Sequence, residues 1–336
     1  MAKKQVQTIA DIARMANVSK STVSRALNDS PLIGMETKER IVAIAREHNF
    51  RINATARQLS LQQSNTIAFV THAFHKEFSV ADLFLLEIMG GISRGLYANG
   101  YDMLVVHVEP YDSQWIHHYL DSGRVDGFIL TTCPHKQHHI QDLLAREAPF
   151  ITWGAQLPNT MYCTVTGDNL NGGKLATQHL VRSGRRQIAF IGGPPHELEV
   201  QYRYAGYENA LQSAGLQVDP ALVTYGDYSN TSGAAAMQRL LEHSSAIDGV
   251  FVNSDLMAIA AIKKLRQMGR RVPDDVAVVG YDDLSIAAQN TPALTTIRQD
   301  IPQAGKLLAQ NLIQYIQTGA VTNAILPVEL VIRETA

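Results

Sequence analysis

From Thr66 onward the chain alternates short apolar runs with helical stretches: "TIAFV", "DMLVVHV", "VDGFIL", "FITW", "YCTV", "QIAFIGG", "LVTYG", "GVFVNS" and "VAVVGYD". These runs are nearly continuous in apolar residues, as expected of strands covered on both faces, and strands separated by helices imply parallel α/β sheets. About nine such strands over about 270 residues fit two doubly wound lobes better than one sheet. The boundary between lobes is expected near Asn159, with a return of the chain near its end. Ligands of such sheets sit at the carboxyl ends of the strands, so facing lobes would enclose a site.

The segment before Thr66 has a different period. Thr8 can cap a helix with Asp11 three residues on, and Ile9, Ile12, Ala13 and Ala16 then share one face. Asn17 suits a left-handed turn. Ser19 can cap a second helix that turns Val23, Ala26 and Leu27 inward and leaves Lys20, Ser21 and Arg25 on an outer face. A third amphipathic helix is expected from about Met35 to Glu47, directing Ile41, Ile44 and Ala45 to the same small core, which Phe50 closes. The following stretch, "NATARQLSLQQSN", can form about one and a half turns from Asn53, too short to persist alone in water.

Charge separates these regions. The first 64 residues carry ten Lys/Arg against five Asp/Glu, whereas the whole 336-residue chain has a net charge of -2. A basic module on an acidic body is the distribution expected when only the module meets a polyanion. No run of eighteen apolar residues occurs and the N-terminus lacks a signal-peptide core, so a cytoplasmic protein without a membrane segment is expected. Cys133 and Cys163, the only cysteines, fit a reducing compartment and form no metal or redox motif.

Catalytic patterns are missing. "GGPPH" and "NGGK" lack the full phosphate loop, and no nucleophile elbow G-x-S-x-G occurs, so no enzyme activity is expected. "HKQHH" at 135–139 reads as a solvated polar loop, because no neighbouring carboxylate or cysteine set completes a tetrahedral zinc site. Neither a cofactor nor a metal is expected.

Several long segments, in order, make the chain resemble the lactose-repressor family of bacterial transcription regulators. "TIADIARMANVSKSTVSRALN" is similar to its helix-turn-helix and "NATARQL" to its hinge helix. "GDNLNGGKLATQHLVRSGRRQIAFIGG", "RYAGYENAL", "SDLMAIAAIKKLRQMGRRVPDDVAVVGYDD" and "LTTIRQD" are similar to its effector domain. The resemblance implies a DNA-binding domain at 1–52, a hinge helix and linker at 53–65, and at 66–336 a two-lobed, periplasmic-binding-protein-like domain that senses an effector and dimerises. It also implies a homodimer, probing a pseudopalindromic operator, that acts as a repressor or activator. The terminal "LPVELVIRETA" lacks leucine heptads, so a dimer is expected rather than a tetramer.

By position, Lys20, Ser21 and Arg25 would face base edges, while Thr8, Ser19, Thr22 and Asn28 would hold phosphates. Ala56 and Leu59 would enter the minor groove, Leu59 as an apolar wedge. Two departures stand out: Ile52 replaces the proline usual before Asn53, and Gly34 replaces a serine cap. In the effector domain Arg203 and Asp282 match positions that hydrogen-bond the ligand, Tyr228 matches a stacking aromatic, and Ser254 replaces the usual asparagine. His72, Phe84, Thr131 and Trp153 are the matching first-lobe candidates. Gly154 and Ala155 replace the Asp-Arg pair common in the family, which implies a ligand different from that of the purine and simple pentose sensors. The expected effector is a small sugar, a mono- or disaccharide. The alternatives are a sugar-binding transport protein and a regulator sensing a non-sugar metabolite such as a purine.

Overall fold

The computed structural model describes residues 8–27, 30–48, 50, 63–71, 82–108, 112, 114–131 and 136–336. The chain divides into two compact units, Met1–Ser64 and Asn65–Ala336. The first unit holds α1 (Ile9–Ala16), α2 (Lys20–Leu27) and α3 (Met35–Glu47). Ile12, Ala13, Ala16, Val23, Ala26, Ile41 and Ala45 are buried together, with Ile9, Leu27, Ile44 and Phe50 packed around them. This is the core the helical spacing predicts.

Caps set the helix limits. Thr8 and Asp11 form the reciprocal capping box at α1, and Asn17 ends it in the left-handed conformation at φ 51°. At α3 Gly34 makes no side-chain cap, as its lack of a hydroxyl requires.

The second unit begins with β1 (Thr66–Thr71), α4 (Asp82–Tyr97), β2 (Asp102–His107), β3 (Gly127–Leu130), α5 (Lys136–Ala145), β4 (Phe150–Trp153) and β5 (Cys163–Gly167). It continues through α6 (Asn169–Arg182), β6 (Ile188–Gly192), α7 (Leu198–Ser213), β7 (Val223–Tyr225), α8 (Asn230–His243), β8 (Gly249–Val252), α9 (Asp255–Gln267) and β9 (Ala277–Asp282). The last elements are α10 (Ser285–Gln289), β10 (Thr295–Gln299), α11 (Ile301–Thr318), β11 (Asn323–Leu326) and β12 (Val328–Val331). Two six-stranded sheets result, ordered β11-β5-β4-β3-β1-β2 and β12-β10-β9-β8-β6-β7. The first is parallel throughout; in the second only β12 runs antiparallel, against β10.

The chain passes between lobes three times, after β5, after β10 and between β11 and β12. The boundary therefore falls at Gly167 and Asp168 and not near Asn159. Asn159 is a left-handed turn at φ 57° inside the first lobe, and Cys163 and Val165 beyond it are buried in that lobe's core. The "HKQHH" expectation is also corrected for its described residues. His138 and His139 lie on α5, where Ile140 and Leu143 anchor the helix in the core; His139 is fully buried, edge-on to Trp115 at 5.5 Å. His138 faces outward and pairs with Asp142 at 3.4 Å.

"NGGK" has a packing role. A Cβ on Gly173 would collide with the Arg203 carbonyl, and one on Gly206 with the Leu170 carbonyl, so α6 and α7 approach backbone to backbone only because both positions are glycine. That contact fixes the height of Arg203 above the second sheet.

Candidate DNA-reading helix and effector cleft

In α2 the inward residues Val23 and Ala26 leave Lys20, Ser21 and Arg25 exposed, as the spacing predicts. The Thr22 backbone amide donates to Ser19 Oγ at 3.1 Å, so Ser19 caps the helix. Its hydroxyl also lies 2.7 Å from Ser21 Oγ and 2.8 Å from Thr22 Oγ1. Three hydroxyls thus gather at the positive end of the helix dipole, beside Lys20, an arrangement suited to an anionic oxygen. Thr8 Oγ1 is engaged with Asp11, both as donor at 2.8 Å and as acceptor from the Asp11 amide at 3.3 Å. Asn28, Ala56 and Leu59 lie outside the described residues.

The second-lobe candidates converge. Arg203, on α7, is buried with its Nε donating to Asn169 Oδ1 at 2.8 Å and its Nη1 to the Asn253 carbonyl at 2.7 Å. Its guanidinium lies 3.7 Å from the centre of the Tyr281 ring. Burial opposes the charge, but Tyr281, Tyr228, Asp282 and Glu199 together raise the guanidinium pKa above its ordinary value.

Asp282 ends β9 at φ 111° and accepts from Gln299 Nε2 at 2.8 Å. Burial pushes its carboxyl up to about 7; Arg203 and Gln299 oppose that rise, and Glu87 adds to it. Beneath it Asp255 is fully buried, accepting from Thr296 Oγ1 at 2.5 Å and from the Leu284 amide at 2.7 Å. Burial, and then the charge of Asp282, push Asp255 well above the carboxylate range.

Tyr228 donates to Glu197 Oε2 at 2.8 Å. Burial and the Glu197 charge raise its phenol. Ser254 Oγ caps α9 by accepting from the Met257 amide at 3.3 Å.

In the first lobe Trp153 is 4% exposed at the end of β4 and belongs to the lobe's core; the half-buried Phe84 packs against that core from α4 with its ring 6.1 Å away, tilted by 45°. Thr131, directly after β3, is buried. His72 lies outside the described residues.

Two contacts join the carboxyl ends of the sheets. Glu199 Oε1, one turn before Arg203 on α7, accepts the Ala155 backbone amide at 2.8 Å across the lobes. From α4, Glu87 meets the Ser285 backbone amide near Asp283; burial raises its carboxyl, the amide opposes the rise and Asp283 adds to it. Sequence reasoning missed Asn169, Asn253, Tyr281, Gln299, Asp255, Glu197 and Glu199. The spacing of Glu199 four residues before Arg203, on one helical face, was a usable signal.

A helical unit with an exposed cationic helix, joined in sequence to a two-lobed α/β unit with polar groups at facing strand ends, defines a ligand-responsive DNA-binding protein. Residues 8–53 match the profile of bacterial regulatory proteins of the lacI family, and residues 177–336 that of the periplasmic binding protein-like domain. Over 342 aligned residues the chain is 34% identical to the HTH-type transcriptional regulator CelR of Thermobifida fusca, covering 100% of each. Among solved structures, the CelR-cellobiose complex matches with a TM-score of 0.76 at 32% identity, covering 98% of this chain and 100% of that one. The lac repressor dimer bound to operator and the anti-inducer ONPF matches with a TM-score of 0.82 at 30% identity, covering 99% of each. The chain belongs to the lacI family of bacterial regulatory proteins. It is a DNA-binding transcriptional regulator. Among the described residues no helix is long and apolar enough to cross a membrane, and no group of three or more His, Cys, Asp or Glu is placed to hold a metal ion.

Proposed function

We propose that this regulator is a cytoplasmic, homodimeric repressor of a carbohydrate operon, without catalytic activity, released or engaged by a mono- or disaccharide bound between the lobes. The observation that carries the reading is the pair Arg203 and Asp282, held by buried partners at the second sheet's carboxyl ends with Tyr228 beside them. Sugar recognition needs fixed polar groups for hydroxyls and aromatic faces for the ring's apolar side. Tyr228 and Ser254 would complete the second-lobe wall, and His72, Phe84, Thr131 and Trp153 would form the first. The likeness to a regulator solved with cellobiose favours a sugar over a purine.

At the operator, residues 1–52 would bind DNA, 53–65 would form the hinge and linker, and 66–336 would sense and dimerise. Lys20, Ser21 and Arg25 would read bases; Thr8, Ser19, Thr22 and Asn28 would hold phosphates; Ala56 and Leu59 would enter the minor groove of a pseudopalindrome.

Calorimetric titration of a mono- and disaccharide panel, with and without operator, tests the scheme. A sugar that weakens operator binding must itself bind more weakly, by the same factor, when operator is present. Asp282→Ala should lose that response while keeping ligand-free operator binding. Equal sugar affinities in the two titrations would overturn the coupling.

A further inference from the structure

Two of the crossings between lobes are built alike. In the first lobe β5 ends at Gly167; Asp168 follows at φ -73°, ψ 78°, and its Oδ1 accepts the Asn171 amide to cap α6 of the second lobe. In the second lobe β10 ends at Gln299; Asp300 follows at φ -79°, ψ 76°, and its Oδ1 accepts the Gln303 amide to cap α11 of the first. The same device runs in opposite directions. The crossings also touch. A Cβ on Gly167 would collide with Gln299 Oε1 and reach Val328, the first residue of β12 beyond the third crossing, so this approach requires glycine. On the near side of the third crossing, the Leu326 carbonyl accepts the Asp168 amide at 2.9 Å. All three crossings therefore meet at Gly167.

Arg203 and Asp282 are each tied to this meeting point by one buried amide. Asn169 Oδ1 accepts from Arg203, while Asn169 Nδ2 donates to the Gly167 carbonyl at 2.9 Å and to Thr166 Oγ1 at 3.2 Å. Gln299 donates to Asp282 through Nε2, and its Oε1 rests against Gly167. Both amides are buried, so neither can replace a lost partner with bulk water. A displacement of Arg203 or Asp282 must then move the crossing with it or leave a buried polar group unpaired, which is costly.

We infer that Asn169 and Gln299 are positioning residues that carry effector occupancy from Arg203 and Asp282 to the lobe crossings, and through the lobe angle to operator affinity. The inference rests on the effector-cleft reading above and deepens it. The crossings are the element that both sites bias, the effector through these amides and the operator through the arrangement of the lobes.

The test uses the full-length protein, with cellobiose, glucose and ribose as probes, each titrated with and without operator. Thr166→Val removes the hydroxyl that accepts from Asn169 and donates to the Gly167 carbonyl. It should leave sugar affinity of the operator-free protein within about 2-fold. The ratio of affinities without and with operator should move toward one, by about 2- to 30-fold, and Thr166→Ser, which keeps the hydroxyl, should restore it. Asn169→Asp keeps the acceptor for Arg203 but loses both donors, so the ratio should fall further. In the ligand-free Asn169→Asp protein, hydrogen exchange should quicken at the starts of both α6 and α11, although Asn169 bonds only to the first crossing. A ratio unchanged in Asn169→Asp, or faster exchange confined to α6, overturns the connection and leaves sugar sensing standing. Silence from all three sugars overturns sugar sensing, and exchange at the start of α11 then decides the connection: a rise supports it and no change overturns it.

Discussion

The two lobes hold their candidate residues by opposite means. In the second, each side chain is positioned by buried polar partners: Arg203 by Asn169, Asn253 and Tyr281, Asp282 by Gln299, Asp255 by Thr296 and the Leu284 amide. In the first, Trp153 and Phe84 are extensions of the hydrophobic core. Directional bonds fix where a group can donate or accept, whereas packing fixes only the shape of a wall.

The sharpest way to break this comparison is Arg203→Ala. It removes the charged donor from Asn169 Oδ1 and from the buried Asn253 carbonyl, and takes a positive charge away from Asp282. Removing one partner of a buried charge network costs about 3–5 kcal/mol. Urea denaturation should show a loss of that size, with no ligand response remaining. A loss below about 1 kcal/mol would mean that the network is not a determinant of the second lobe.

A parallel contrast separates the DNA unit from the effector unit, since α2 displays its cations to solvent while Arg203 is enclosed. Arg25→Ala should leave the fold stable and lower the preference for matched over scrambled operator by about 1 to 3 kcal/mol, the worth of one bidentate base contact. Binding to both sequences at fixed salt measures it. An unchanged ratio would remove Arg25 from the base-reading set.

Legibility in the sequence followed the same division. Seven of the nine strands read are buried parallel strands and therefore continuous apolar runs; β2 and β7 are half-exposed edge strands and were read from the apolar residues they still carry. The three that escaped are different. In β10 the buried Thr295 and Thr296 look polar, but the Thr295 hydroxyl donates to the Ala336 carbonyl and accepts from the Arg333 amide, and the Thr296 hydroxyl donates to Asp255; β11 and β12 are half-exposed strands at the sheet edges. Arg203 and Asp282 were singled out by family resemblance alone. Their partners were not, because Asn169 lies 34 residues before Arg203 and Asn253 lies 50 after it, so only the closed fold brings them together. The lobe boundary was misplaced for a related reason: a polar turn marks a change of direction, and nothing local says which sheet the next strand joins.

The raised Asp282 carboxyl gives the comparison a pH axis. Its pKa is about 7 in the folded protein against an ordinary 3.8, so folding favours the protonated form. Below about pH 4 both states are protonated and nothing is gained or lost. Between there and pH 7 the unfolded chain releases the proton first, so stability falls as pH rises, by at most about 1.4 kcal/mol per pH unit for one proton. Asp255 shifts the same way and steepens the trend. Asp282→Asn should flatten it. Thermal melts from pH 4 to pH 7 that keep the wild-type slope in the variant would place the titration elsewhere.

The smallest expected effect returns to the hydroxyl cluster at the start of α2. Ser19 is exposed and its cap to the Thr22 amide is one hydrogen bond, so Ser19→Ala should cost the DNA unit about 1 kcal/mol of stability. The same change removes a group proposed to hold a phosphate, and phosphate contacts position the protein without reading sequence. Affinity for matched and scrambled operators should therefore fall together, leaving their ratio intact, in contrast to Arg25→Ala. Ser19→Thr retains a capping hydroxyl and should restore most of both losses. A Ser19→Ala protein that lost discrimination more than general affinity would show that the hydroxyl cluster reads sequence by orienting Ser21, its neighbour at 2.7 Å, and the division between reading and holding residues on this helix would have to be redrawn.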